Sequence, residues 1–408
     1  MDYEKRQRRT IILLDVDGVL VYDRGYRAGI VATVNHFAGQ LGLQGMAPTQ
    51  EEIDALHASG FTNEWDLNPF VVGVLQLAAT GGAPVQRPDY PDWGRRAENR
   101  AGRPSQRALG VLLEGLAQLA LPEFRQAELK ADLESLLADT YSVRRCATTQ
   151  VQQEFVLGSQ LYGSHYGLPP RFSSPSLLLE EDEPALDSAG KACLERLVAE
   201  QGAQVCVYTA RPSGPPATID PSASERDDPS IPAGANSFPL APEAELAVQL
   251  VGLEQYPLVA MGRMQWLADR HGETVESLTK PSPAQMLAAL GAALSGQESV
   301  ALEAAYALYE HSQIQEPLDM LVDAPFEIYV LEDAVPGLQA AAGGLRILEA
   351  QGIQAELRGI GVTRSEAKAH ALAPFCRTIV PNVNDGLKWI ELDLGCRQVE
   401  SSGGLARR

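Results

Sequence analysis

The stretch "TIILLDVDGVLVYDRG", Thr10 to Gly25, decides the fold. Thr10 to Leu14 is a short apolar run, of the kind that makes a strand buried on both faces of a parallel sheet. Asp15 and Asp17 then stand two positions apart, where the run would otherwise continue. Residues i and i+2 of a strand share a face. Two carboxylates so placed repel each other, and one pKa rises. Something positive has to answer them.

Outward from that stretch the chain has two textures. From about residue 27 to 160 it reads as helix after helix: "RAGIVATVNHFAGQLG", "TQEEIDALHASG" with Thr49 and Glu52 in a capping box, "NPFVVGVLQLAATGG" and "PEFRQAELKADLESLLADTYS". Beyond residue 186 helices alternate with strands. "AQVCVYTARP" is a strand ending at Thr209, "FEIYVLEDAVPG" one ending at Glu332 and Asp333, and "AELRGIGVTRS" and "RTIVPNV" are two more. Such alternation predicts βαβ units and a parallel sheet. The expected fold is therefore α/β, a Rossmann-like doubly wound parallel sheet core with an inserted, enlarged all-α domain. The core takes residues 10–22 plus 186–397, and the insert 23–185. Residues 212–242, rich in Pro, Ser, Gly and Asp, are expected to form a flexible loop, and 1–9 and 398–408 to be disordered tails.

Composition narrows the field. Among 408 residues, 33 basic and 53 acidic side chains give a net charge of −20. A nucleic-acid binder needs a basic face against phosphates, so none is expected as a partner. Five scattered cysteines without a CxxC pair suggest neither a disulfide framework nor a zinc site. No segment approaches the roughly 20 apolar residues needed to cross a bilayer. No membrane partner and a cytoplasmic location are expected; the oligomeric state is left open.

Chemistry in an open parallel sheet sits beyond the carboxyl ends of its strands. Asp15, Asp17, Thr209, and the pair Glu332–Asp333 all fall there, and Lys280 in "LTKPSP" precedes a helix that Ser282 or Pro283 starts. Mg²⁺ is a hard cation that takes carboxylate oxygens and relieves the repulsion between acids. With Mg²⁺ and Lys280 the cluster becomes a receptor for phosphate, whose transfer is mostly positioning and charge neutralisation. One aspartate can attack phosphorus and the other can protonate the leaving oxygen. Gly18 lets the backbone turn tightly where a phosphate approaches.

"DVDGVL", a helical insert, "VYTAR", "TKPSP" and "YVLEDAVPGLQAA", in that order, resemble the haloacid dehalogenase superfamily, in the subfamily with a helical cap after its first motif. The resemblance implies a Mg²⁺-dependent phosphohydrolase acting on a small phosphorylated metabolite. It implies that Asp15 is the nucleophile, forming an aspartyl-phosphate, and that Asp17 is the general acid and then base. Thr209, with Ala210 and Gly18, and Lys280 would bind the phosphoryl group. Asp15, Asp17 through its carbonyl, Glu332 and Asp333 would hold the metal. A phosphomutase of the same scaffold and a non-catalytic binding protein are the alternatives.

Three further features carry two readings each. "GFTNEWDLN", residues 60–68, resembles a run in one branch of that subfamily, so Asn63 and Asp66 either contact substrate or cap the next helix around Trp65. Arg211 either reaches substrate or pairs with acids of the insert or loop. Residues 86–107, "QRPDYPDWGRRAENRAGRPSQR", read as a loop whose six arginines are either solvated or meet an anion.

Overall fold

Arg9–Leu14 forms strand β1, in which Ile11 to Leu14 are fully buried. The computed structural model describes residues 9–81, 85–216, 241–322 and 325–403. Val21–Tyr22 is β2, Glu183–Pro184 β3, Gln204–Tyr208 β4 and Leu258–Val259 β5. Phe326–Glu332 is β6, Ala355–Val362 β7 and Thr378–Val380 β8. Six of them form one sheet in the order β5-β4-β1-β6-β7-β8, with every neighbouring pair parallel. This is the Rossmann-like sheet that the alternation predicts. The chain fills β4 and β5 on one side of β1 before crossing to β6 on the other. The loops leaving these strands therefore diverge and open a crevice at their carboxyl ends.

Why β1 reads as a continuous apolar run follows from its place. Ile12 and Leu14 join Val205, Val207, Tyr329 and Leu331 in a core cluster. Cys193, Leu194 and Leu197 of helix Ser188–Gln201 and Val383, Leu387 and Ile390 of helix Val383–Gly403 belong to the same cluster. By the pleat, Ile11 and Leu13 point to the other face, where helix Pro283–Ser295 crosses β1, β4 and β5. A strand covered on both faces leaves no polar position until it ends.

The chain divides into two compact units. One comprises the sheet and its helices; the other is Asp23–Asp182. The helical unit starts with Gly25–Gln40 and ends with Leu177–Glu181. Its core gathers Ile30, Val34, Phe61, Phe70, Val71, Val74, Leu112 and Leu133 from four of its helices and one loop. Thr49 and Glu52 form their capping box. The short ladder β2–β3 pairs Val21 with Pro184 and Tyr22 with Glu183, so residues 183–185 belong with the sheet rather than the insert.

Several segments differ from expectation. Residues 86–107 are not a loop: they hold helix Tyr90–Glu98 and the start of helix Pro104–Ala117. Pro91 and Pro104 sit in the first turns, where a missing N–H costs nothing, so these prolines mark starts rather than breaks. Helix Met261–His271 was not legible, because its buried face includes Arg263 and Gln265 and breaks the apolar period. Arg9 belongs to β1, pairing with Phe326, and the last helix runs past residue 397 to Gly403. Of the 212–242 loop, 217–240 lies outside the described residues, as do 1–8 and 404–408.

Candidate active site

β1 ends at Leu14, and the chain turns at once. The N–H groups of Leu20 and Val21 both donate to Val16 O, and Gly18 N–H donates to Val21 O. Gly18 has φ +74°, and a Cβ there would stand 2.4 Å from Asp333 Oδ2. Only glycine fits both the left-handed backbone and the close approach. Because the strand stops before them, Asp15 and Asp17 do not share a partner. Each takes its own cation.

Asp15 is buried, and its Oδ1 accepts from Lys280 Nζ at 2.7 Å. The same ammonium donates to Glu332 Oε1 at 2.5 Å and to Tyr208 O at 3.1 Å, and it lies 3.7 Å from the centre of the Tyr208 ring. Lys280 thus ties the ends of β1, β4 and β6 together. Burial pushes Asp15 well above the usual carboxylate range, and Glu332 adds to this while Lys280 offsets part of it. Burial also raises Glu332. On Lys280 burial acts downward, but the charges of Asp15 and Glu332 outweigh it and hold the ammonium above its ordinary value. One lysine between two buried acids leaves the group short of positive charge.

Asp17 is held by Arg211 instead. Arg211 Nε donates to both Asp17 oxygens, at 2.8 and 3.0 Å, and Nη2 donates to Oδ1 at 2.5 Å. The arginine side chain is 1% exposed and the aspartate 35%. Arg211 thus pairs with Asp17, a partner that neither reading of the sequence named. Its backbone N–H also donates to Thr209 Oγ1 at 3.2 Å, leaving the threonine hydroxyl hydrogen to be donated elsewhere. Thr209 is buried at the end of β4 and Ala210 next to it is exposed.

Asp333 follows β6 directly. Its carboxylate, with those of Asp15 and Glu332, offers oxygens that all lie within 4.8 Å of one another. Lys368 Nζ donates to Asp333 Oδ2 at 2.5 Å. Among the described residues, four carboxylates thus face three cations: Lys280, Arg211 and Lys368.

Three contributors were given no role from the sequence, although one of them, Gly337, lies inside "YVLEDAVPGLQAA". Gln285 is fully buried. It donates to Thr209 O at 2.8 Å and Val259 O at 3.3 Å, and accepts from Lys280 N–H at 2.9 Å. It locks the lysine loop to the end of β4. At Gly337 a Cβ would meet Glu332 Oε1 at 1.6 Å, so the helix after β6 needs glycine to let that carboxylate lie against it. Lys368 lies on helix Glu366–Leu372, far along the chain from every motif.

No protein-family model matches the chain, and no curated protein matches it. Among solved structures, the chain is similar to an X-ray structure of a Northeast Structural Genomics Consortium target. The TM-score is 0.60 and the identity 16%, over 94% of this chain and 98% of that one. That likeness shows the fold. Phosphatase Tt82 from Thermococcus thioreducens superposes with a TM-score of 0.42 at 16% identity, over 89% of this chain and 99% of that one, too loosely to bear on the chemistry.

Asn63 and Asp66 lie in the helical unit and are committed within it. Asn63 Oδ1 caps helix Glu64–Thr80 by accepting from Asp66 N–H at 2.9 Å, and its Nδ2 donates to Asp66 Oδ2 at 3.2 Å. Tyr141 OH donates to the same oxygen at 2.6 Å. Burial raises Asp66, and those donors offset part of the rise. The helix-capping role is the one the geometry fills. Five of the six arginines of 86–107 are likewise engaged inside that unit: Arg87 with Glu52, Arg95 with Asp92, Arg96 and Arg100 with Glu114, and Arg107 with the carbonyls of Ser59 and Gly60. Among the described residues no helix is long and apolar enough to cross a membrane.

Proposed function

We propose that the protein is a Mg²⁺-dependent phosphohydrolase of the haloacid dehalogenase type, acting on a small phosphomonoester. The observation that carries this reading is Lys280 bridging Asp15 and Glu332 at the carboxyl ends of adjacent parallel strands, with Asp333 in reach.

The residues fit a divalent metal. Three carboxylates converge, two of them raised by burial in a group short of positive charge, and Gly18 keeps the space beside Asp333 clear of a side chain. Asp15, Glu332 and Asp333, with the carbonyl of Asp17, would hold Mg²⁺. When bound, the ion supplies charge neutralisation for the phosphoryl oxygens.

The chain's own groups do the rest. Asp15 attacks phosphorus, forming a P–O bond to its carboxylate as the ester P–O bond breaks. Asp17, having taken up a proton from solvent before the step, gives it to the departing oxygen. Asp17 then takes a proton from water, which attacks the aspartyl-phosphate, releasing phosphate and restoring Asp15. Lys280 and the Thr209 hydroxyl stabilise the transferring group, and Arg211 sets where Asp17 points.

A panel of phosphometabolites with Mg²⁺, using Asp15→Asn as the blank, tests the reading. Phosphate release by wild type and none by the variant is expected. A flat panel refutes the hydrolase. Turnover that needs a bisphosphate activator identifies the mutase instead.

A further inference from the structure

We propose that Lys368 is a place-holding counter-ion that competes with the divalent cation for Asp333, and so sets how tightly the site binds its metal. This rests on the metal reading above.

The three cations of the site are not held alike. Lys280 is 8% exposed and makes three hydrogen bonds; Arg211 is 1% exposed and makes three to Asp17. These two are fixed parts of the cluster. Lys368 makes one bond, to Asp333, from a side chain that is 56% exposed. It reaches in from a seven-residue helix beyond β7. A lysine is a compact charge on a flexible four-carbon stem, so this ammonium can leave without disturbing the fold.

Its position conflicts with a metal. The ammonium lies 2.5 Å from Asp333 Oδ2, and the oxygens of Asp15, Glu332 and Asp333 that would share a cation lie within 4.8 Å of one another. A dication entering that group meets a positive charge on each of its ligands, the buried Lys280 on Asp15 and Glu332 and the exposed Lys368 on Asp333, and of the two only Lys368 has room to withdraw. Coulomb repulsion at a few ångström then obliges the ammonium to withdraw. Without the metal, the same ammonium balances Asp333 against its two acidic neighbours. Lys368 thus favours the metal-free site, and each metal ion bound has to displace it. Exposed ion pairs contribute little, and their range corresponds to about a twofold to fivefold change in an equilibrium constant.

Isothermal titration calorimetry of the full-length protein with MgCl₂ at low ionic strength tests this. Lys368→Met should bind Mg²⁺ about twofold to fivefold more tightly than wild type. Lys368→Arg keeps the cation and should bind as wild type does. Lys388→Met removes one charge from an equally exposed lysine that pairs with Asp385, and should also bind as wild type does. The advantage of Lys368→Met should shrink in high salt. Lys368→Gln repeats the test should the methionine variant fail to fold. Unchanged or weaker binding by Lys368→Met, with wild type binding normally, overturns this inference alone. An equal gain in Lys368→Arg or Lys388→Met overturns it too. Absence of Mg²⁺ binding in every protein overturns the metal reading and this inference with it.

Discussion

The charges at the strand ends and the arginines of the helical unit make opposite uses of the same chemistry. Lys280 and Arg211 are buried and join segments 265 and 194 residues away. Their partners are acids that nothing local would place there. The arginines of 86–107 are exposed or half-buried, and those in ion pairs answer neighbours within the same helical unit, Glu52, Asp92 and Glu114. One set assembles a site; the other fastens helices. A cluster of like charges in sequence is therefore a poor guide to chemistry. Single charges that end buried strands are a better one, because a buried charge is tolerated only where a partner has been arranged for it.

The strongest way to break the contrast is Lys280→Met. It leaves Asp15 and Glu332 buried without their cation, which costs about 3–5 kcal/mol for a broken buried pair. Loss of one stabilising donor should also lower turnover by about 10²–10³. Calorimetric unfolding and phosphatase assays check the two effects. A stability change below about 1 kcal/mol would place Lys280 with the exposed set.

Next in size is Arg211→Met, which frees Asp17. Positioned acid catalysis contributes about 10²–10⁴ where the leaving group needs a proton. The variant should therefore lose far more activity on alkyl phosphates than on p-nitrophenyl phosphate, whose leaving group departs unprotonated. Equal losses on both would show that Arg211 is structural and does not position the acid.

These expectations show which parts of the molecule were legible in its sequence. β1 was, because Ile11 to Leu14 are fully buried and apolar and the first charges come where the strand stops. The motif residues at the ends of β1, β4 and β6 were legible for the same reason. Gln285 and Lys368 were not, since each acquires its role from a neighbour supplied by the topology, Thr209 O and Asp333, whereas Gly337 lies within the motif that also holds Glu332. The partner of Arg211 was missed on similar grounds. Helix Met261–His271 escaped because Arg263, which bonds Glu245 and Glu298, occupies a position where periodicity expects an apolar residue. Residues 86–107 misled in the other direction, as helix-starting prolines resemble loop prolines when no partner helix is in view.

The smallest effects lie in the helical unit, and two of its arginines sharpen the comparison from within. Arg107 donates to Gly60 O at 3.0 Å and Ser59 O at 3.4 Å, and its guanidinium lies 5.5 Å from the centre of the buried Phe61 ring. It satisfies carbonyls just past the end of helix Gln50–Ala58, where no intrahelical donor is available. Arg107→Ala should cost about 1–2 kcal/mol, the sum of modest hydrogen bonds and a cation–π contact. Arg100 pairs with Glu114, but their side chains are 31% and 55% exposed. Arg100→Ala should cost under about 1 kcal/mol, and the cost should vanish in high salt, where exposed charges are screened. Urea unfolding of both variants at low and high salt separates them. If Arg100→Ala proves the costlier, charge pairing rather than carbonyl satisfaction holds these helices. The division between fastening and site-building charges would then depend on burial alone.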